Sequence, residues 1–572
     1  MKKKFLLLIY SILIITFLFL CFIQINKPLH HEESFLAYGA NKLANAEKPE
    51  FSFEGYGLGK ISILAHPPLY IYTVAFFVKI FGYNLFGLKF SGIFFAVLTS
   101  LVVLFMGFYL FPDNKKLSLL AVFIFLIHPI VIQNSLLMDI DGGILAFLTV
   151  LAIFIFMKYR LDKPFLLSGT LFLGLWTKMT SFVILSLSFF VFLLFFEKYN
   201  KKNFFSREKI EKIIKLMVIF IVSLAVFLIT YYIYTSATGL DFSQTFRHNS
   251  IGKFGERFNE GIILNLLKFA GSFKTFVIWV NPLIVLFFSI IFLRDLKKIT
   301  AGKADKNIIL FYIIIIFSVC FFIFTGIITG LPGKYFVFLM PLFALLITKE
   351  LSFQTQKYKK RRIAWIFVII GIIIIEYYLL FLGDPIFTED IWMTFSQFNF
   401  FLVLSILLKI IIIIFPALIL FVIFRKNFVL AVVLMILLFG TYSAIYTSFA
   451  PYSTNNNYGD YGVEDTVNYL KNVTMREKAT IIAERSICFF WNNGDYLDNI
   501  QNKAYLYVAS QYYLFAEDFY DSAVITKDNT YVVIYEHNIY RTPGFKEHLE
   551  SHFDYIKTVG TYNIYKIKKE NI

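Results

Sequence analysis

From its first residues to about position 450 the chain alternates long apolar runs with short polar breaks, and beyond that point its pattern changes. Runs of roughly 18 or more apolar residues are long enough to cross a ~30 Å hydrocarbon layer as helices. They predict spans at about 5–23, 88–111, 117–135, 142–160, 165–177, 180–196, 213–235, 273–293, 307–328, 334–350, 363–383, 400–424 and 428–449. That gives about 13 transmembrane helices, with 165–177 the shortest. Between the first two spans lies a long loop, 24–87. In it "EESFLAYGANKLANA" spaces its apolar residues as one helix face, suited to lying along a membrane surface. "HPPLYIYTVAFFVKIFGYN" follows, its proline pair placed for the first turn of a short helix dipping towards the bilayer.

The tail from 451 to 572 reads differently. "VEDTVNYLKNV" and "GFKEHLESHF" have helical spacing, "ATIIAE", "AYLYVA" and "TYVVIYE" read as strands, and "YIKTVGTYNIYKIKK" as a hairpin closed at Gly560. The fold class expected is a mainly α, polytopic membrane protein with a small C-terminal α/β domain. Three parts follow: 1–200, a membrane half with the long loop; 201–450, a second set of membrane helices; and 451–572, the α/β domain.

Composition agrees. Of 572 residues, 58% are hydrophobic and only 16% charged, outside the range of ordinary soluble domains. A net charge of +16 raises the question of nucleic acid, and the placement of the charges answers it. Lys115 and Lys116, Lys158, Arg160 and Lys163, "EKYNKKNFFSREKIEKIIK", "RDLKKITAGKADK", "KYKKRR", and Arg425 with Lys426 fall in alternate loops, whereas "HPIVIQNSLLMDID" and "GDPIFTEDIWMTFSQ" carry none. This is the positive-inside asymmetry, so the basic charge sets topology and no nucleic acid partner is expected. It places the "MKKK" end in the cytoplasm and the tail outside, in the cytoplasmic membrane of the cell. The first apolar stretch is longer than a signal-peptide core and has no clear A-x-A site, so a retained anchor is expected. Cys21 and Cys320 fall in spans and Cys488 in the tail, which excludes a disulfide framework.

The candidate chemistry gathers on the expected outer side. Glu32 and Glu33 follow the first span, His66 stands in "HPPLY", Asp139 and Asp141 in "SLLMDIDGG", Lys178 in "GLWTKMTS" and Lys334 in "GLPGKYFVFLMP". Ionisable groups near lipid are held facing a protein interior or a wet cavity, so their convergence tells more than any one of them. Adjacent residues on a helix point ~100° apart, so one of Glu32 and Glu33 should face the site and the other away. His30 and Glu33 at i and i+3, with Asp139, could hold a divalent metal cation, although no zinc signature is present. Each carboxylate or histidine also has a plainer reading as a helix cap, His66 as a turn residue, and the lysines as side chains reaching for headgroups.

In order, "HHEESFLAYGANKLAN", "HPPLYIYTVAFFVKIFGYNLFGLKFSG", "NSLLMDIDGG" and "LGLWTKMTS" resemble the GT-C fold glycosyltransferases related to protein O-mannosyltransferases, bacterial lipid A aminoarabinose transferases and the RgtA/B/C/D-like group. The resemblance covers roughly residues 1–200, with an echo at "GKYFVFLMP". It implies an integral-membrane transferase that moves a sugar from a polyprenyl-phosphate donor to a protein, lipid or glycan acceptor on the outer membrane face. Members usually carry an Asp-Glu pair in the first external loop, and here the pair reads Glu32-Glu33.

On that reading Glu32, or failing it Glu33, is the general base on the acceptor hydroxyl, which displaces polyprenyl phosphate with inversion. Lys178 and Lys334, with Arg247 or Arg257 in "TFRHNSIGKFGERFNEG", would stabilise the leaving phosphate. His66, Asp139 and Asp141 would orient the substrate or a cation. The alternative function is a transporter or flippase of a lipid-linked glycan, for which Glu376 in "IIIIEYYLL" and Lys409 in "SILLKIIIII" are the midplane candidates.

Overall fold

The computed structural model describes residues 3–26, 29, 33–47, 50–52, 60–62, 68–140, 142–196, 206–243, 245–246, 282–329, 333–354, 462–476, 479–483, 504–508, 529–535, 545–560 and 562–568, with single positions at 269, 273, 276, 280 and 487. The expected spans at 363–383, 400–424 and 428–449, with Glu376 and Lys409, lie outside these residues, as does Cys488.

The membrane part begins with α1 (Lys3–Phe22), α2 (Glu33–Ala44) and a hairpin of β1 (Glu50–Ser52) with β2 (Lys60–Ser62), then α3 (Leu69–Phe81) and α4 (Leu85–Leu110). It continues through α5 (Lys116–Leu126), α6 (Pro129–Leu136), α7 (Gly143–Tyr159), α8 (Pro164–Leu175), α9 (Met179–Phe195) and α10 (Arg207–Thr238). After these come α11 (Pro282–Thr300), α12 (Lys306–Thr329), a short 3₁₀ helix η1 (Gly333–Leu339) and α13 (Met340–Gln354). The hairpin within the long loop has no counterpart in the sequence reading.

Among the described residues four segments are long and apolar enough to cross a membrane: Lys4–Phe22, Leu85–Leu110, Arg207–Thr238 and Lys306–Phe324. The pair α5 and α6, bent by 62°, makes a fifth if read as one broken span. The spans expected at 142–160, 165–177 and 180–196 are helices of 17, 12 and 17 residues. Only 17% of the apolar window of α1 and 22% of that of α10 is buried in protein. Leu7, Ile15, Ile229 and Tyr232 stand exposed on these two helices. An apolar surface of that extent with fully paired helical backbone is matched to lipid.

Helix ends alternate between two poles of this bundle. At one pole Arg160 Nη2 donates to Asn307 Oδ1 (3.1 Å), and Arg294 on α11 grips the buried Glu350 of α13 through both guanidinium nitrogens (2.5 and 2.7 Å). Asp295 accepts there from Lys298 Nζ (2.9 Å) and from the Tyr312 hydroxyl (2.9 Å). The start of α4, the α6–α7 turn, the α8–α9 corner and η1 occupy the other pole.

The break between α5 and α6 has a local cause. Pro129 has no N–H to continue α5 and is suited to the first turn of a new helix. His128 caps that helix, its Nδ1 accepting from Ile130 N–H (3.3 Å), which leaves Nε2 to donate to the Val280 carbonyl (3.1 Å). The histidine is thereby a neutral structural cap.

Two glycines let α4, α6 and α7 close up beneath the second pole. A Cβ on Gly92 would run into the Ser135 carbonyl oxygen of α6, and one on Gly143 would stand 2.7 Å from the Gly92 carbonyl oxygen.

In the tail, α14 (Val463–Arg476) and α15 (Phe545–His552) accompany a five-stranded sheet of order β4-β3-β5-β7-β6. Its strands are β3 (Ala479–Ala483), β4 (Ala504–Val508), β5 (Thr530–Tyr535), β6 (Phe553–Val559) and β7 (Tyr562–Ile567). β4, β3 and β5 run parallel, and β7 and β6 extend the sheet antiparallel through the turn at Gly560. Val467, Leu470, Ile481, Val533 and Ile564 form a core of their own, separate from that of the helices.

Gly92→Ala is expected to lower stability by about 1–3 kcal/mol through overpacking. Gly169→Ala in α8, where a Cβ meets nothing within 4 Å, is expected to raise it by about 0.5–1 kcal/mol. Paired thermal melts in one detergent check both.

Candidate active site

The site is assembled from segments that leave α1, α6 and α8. Glu33 opens α2 and is 3% exposed. Its Oε1 accepts the backbone N–H of Met138 at 2.5 Å, across a separation of 105 residues. The acceptor is ionisable and the donor sits in an extended stretch after α6, so this one bond fixes the first loop to the turn that carries Asp139.

That turn is local. The Asp139 carbonyl accepts Gly142 N–H at 2.9 Å, and Gly142 then starts α7 from an extended conformation. A Cβ on Gly142 would crowd the same carbonyl at 2.7 Å, so the turn itself favours glycine at 142.

Tyr70, in the first turn of α3, closes the group. It is 3% exposed and its hydroxyl is hydrogen-bonded to the Asp139 backbone. Burial first, and then the charges of Asp139 and Glu33, hold its pKa well above the ordinary tyrosine value of 10.0. Tyr70 therefore remains a neutral phenol at working pH and serves as a hydrogen-bonding group, not a base. "HPPLY" had drawn attention to the histidine alone; a tyrosine in the first turn of a helix that begins beside ionisable loops was the available signal.

The α8–α9 corner is tied to the same place. The first N–H of α3, Leu69, has no side-chain cap and donates instead to the Trp176 carbonyl (3.2 Å). Trp176 is itself fixed by its indole N–H on Thr230 Oγ1 (3.2 Å). Two residues further on, Lys178 stands in an extended conformation at the head of α9, half-buried. Its ammonium lies 4.0 Å from the centre of the Tyr335 ring and 5.4 Å from that of Phe322. These aromatic faces hold the cation by their quadrupoles and restrict the long side chain. Tyr335 belongs to η1, which also packs against α6 and α7 and includes Lys334 in its backbone.

Of the residues singled out in the sequence, the structure brings Glu33, Asp139, Lys178 and the backbone position of Lys334 to one pole of the bundle. Glu32, His30, His66, Asp141, Arg247 and Arg257 lie outside the described residues. Glu33 does face the interior, as one member of the Glu32-Glu33 pair was expected to do. Among the described residues no group of three histidine, cysteine or acidic side chains is placed to hold a metal ion. Glu33 accepts the Met138 N–H through one oxygen, and His30 of the expected His30, Glu33 and Asp139 set lies outside the described residues.

Comparison with known proteins bears on the fold. Residues 65–233, from just before α3 through most of α10, match the family model of dolichyl-phosphate-mannose-protein mannosyltransferase. The whole chain superposes on the crystal structure of ArnT from Cupriavidus metallidurans bound to undecaprenyl phosphate, at a TM-score of 0.54 and 11% identity, covering 100% of this chain and 99% of that one. The fold is that of the GT-C glycosyltransferases. The apo form of the same ArnT matches this chain at a TM-score of 0.51 and 11% identity, over 98% of this chain and 97% of that one. A lower likeness, TM-score 0.44 at 13% identity, relates it to the Archaeoglobus fulgidus oligosaccharyltransferase, over 100% of this chain and 75% of that one. No curated protein matches the chain significantly.

Raised pKa of Tyr70 has a pH signature. Between pH 10 and the folded-state value the unfolded chain has lost the phenolic proton that the native site retains, so stability falls as pH rises through this window. Tyr70→Phe is expected to fall less steeply than the wild type above about pH 10. Thermal melts from pH 8 to 11, read as the wild-type minus variant difference, check it.

Proposed function

We propose that the chain is an inverting glycosyltransferase that takes its sugar from a polyprenyl-phosphate donor and transfers it to an acceptor hydroxyl on the outer face of the cytoplasmic membrane. The single observation carrying this reading is the meeting of Glu33, Tyr70 and Asp139 at the same pole of the bundle as Lys178. A carboxylate cluster and an aromatic-held cation at the end of lipid-facing helices are what a donor with a buried tail and a headgroup-level phosphate requires. The match to a mannosyltransferase family model and the fold shared with an undecaprenyl phosphate-bound protein favour the same donor class.

Glu32, or failing it Glu33, is the general base in this proposal, and Glu33 also holds the turn of Asp139. The base takes the proton of the acceptor hydroxyl as its oxygen bonds to the anomeric carbon. The bond from that carbon to the phosphate oxygen breaks on the opposite side, and polyprenyl phosphate leaves with the electron pair. Lys178 and Lys334, with Arg247 or Arg257, stabilise the charge that grows on the phosphate, and no extra reactant is needed. Asp139 and Asp141, with His66, orient the sugar or a cation near the phosphate. The basic pole, with Arg160, Arg294 and Lys298, faces the cytoplasm on this orientation. The acceptor is a hydroxyl of a protein, lipid or glycan, and the sugar a hexose or pentose.

Purified protein incubated with a panel of polyprenyl-phosphate sugars is expected to release free polyprenyl phosphate from one of them. Glu32→Gln is expected to lower the rate about 10²–10⁴-fold, the usual range for a lost general base. Lys178→Met is expected to lower it about 10²–10³-fold, as for a lost oxyanion-stabilising donor. Full activity in both Glu32→Gln and Glu33→Gln, or no release from any donor, would overturn the proposal.

A further inference from the structure

Lys89 is the fifth residue of α4 and is 4% exposed. A cation so placed is disfavoured twice: it is out of water, and it sits near the positive end of the α4 dipole. Something on the partner side must offset this. The Lys89 Nζ donates to the Ile25 carbonyl at 3.1 Å, 64 residues away in sequence. Ile25 lies in the turn that ends α1, where carbonyls lack helical partners and the dipole is negative. The ammonium of one helix start thus caps the end of another.

The same short stretch is fixed again just beyond. Gln24, 2% exposed, donates its amide to the Leu20 carbonyl (2.9 Å), Leu29 is fully buried, and Glu33 is bonded to Met138. Between Ile25 and Glu33 there are only eight residue steps, and Glu32 is the last before the second anchor. Resting on the glycosyltransferase reading above, we propose that Lys89 is a positioning residue: it anchors the exit of α1 so that the Glu32-Glu33 pair is presented to the acceptor in register with the Asp139 turn. It acts through the Ile25 carbonyl and does not touch the donor phosphate. A shift of an ångström at a catalytic group costs about a hundredfold in rate, so this kind of anchor is read most clearly in kcat.

Full-length Lys89→Met is compared with wild type and Lys89→Arg on the best polyprenyl-phosphate sugar of the panel. The expected result is kcat lower by about a hundredfold in Lys89→Met with KM for the donor within about threefold, and recovery of most of kcat in Lys89→Arg, whose guanidinium again donates to a carbonyl. Amide hydrogen exchange, read without substrate on peptides covering 23–38, is expected to quicken in Lys89→Met and not in Lys89→Arg. Unchanged kcat, a rise in KM at constant kcat, or weakened binding of sugar-free polyprenyl phosphate would overturn the proposal, the last two by making Lys89 a phosphate ligand. Unchanged exchange would overturn it as well, and this arm decides the anchor even if the wild type transfers no sugar. Where Lys89→Met is recovered unfolded, Lys89→Gln, neutral but still an N–H donor, carries the same comparison with an expected kcat loss of about tenfold.

Discussion

The hydrogen bond from Met138 N–H to the buried carboxylate of Glu33 is the constraint on which the rest of the site depends. A carboxylate 3% exposed is tolerated only with partners that compensate for lost water, and a backbone N–H buried beside it needs an acceptor just as much. Each group therefore answers the requirement of the other, and in doing so joins the first loop to the α6–α7 turn. Tyr70 then adds a neutral hydroxyl against the Asp139 backbone, and the Leu69 to Trp176 bond carries the connection to the corner of Lys178.

The two poles of the bundle use polar groups in different ways. At the basic pole the charges are matched among themselves, Arg294 with Glu350 and Asp295, and Asp295 also with Lys298 and Tyr312. Such a network closes on itself and keeps α11, α12 and α13 in register. At the acidic pole Glu33 accepts a backbone N–H, and Lys178 lies against aromatic faces. The broken helix between α5 and α6 allows this: Pro129 and the His128 cap turn α6 aside by 62°, so its end delivers Met138 and Asp139 to the group.

Much of the membrane part was legible from the chain. Apolar length and the side on which lysines fall are properties of composition, so helices appeared near 5–23, 88–111, 213–235 and 307–328, and so did the convergence of Glu33, Asp139 and Lys178. The strands and helices of the tail showed through their periods of two and of 3.6. The β1–β2 hairpin did not, because three-residue strands are too short to show a period. Neither did Tyr70 or Lys89, which in sequence are an ordinary aromatic and an ordinary lysine beside apolar helices.

What the sequence determined by itself was the solvent the chain is built for and the set of charged groups placed at helix ends, since both follow from which residues can lie in lipid. Which of those groups touch was decided only by the tertiary structure. Glu33 and Met138, Lys89 and Ile25, and Leu69 and Trp176 are 105, 64 and 107 residues apart, and no local pattern encodes a pairing of a side chain with a distant backbone amide or carbonyl. Such pairs form because packing of the helices buries backbone groups that then have to find partners nearby.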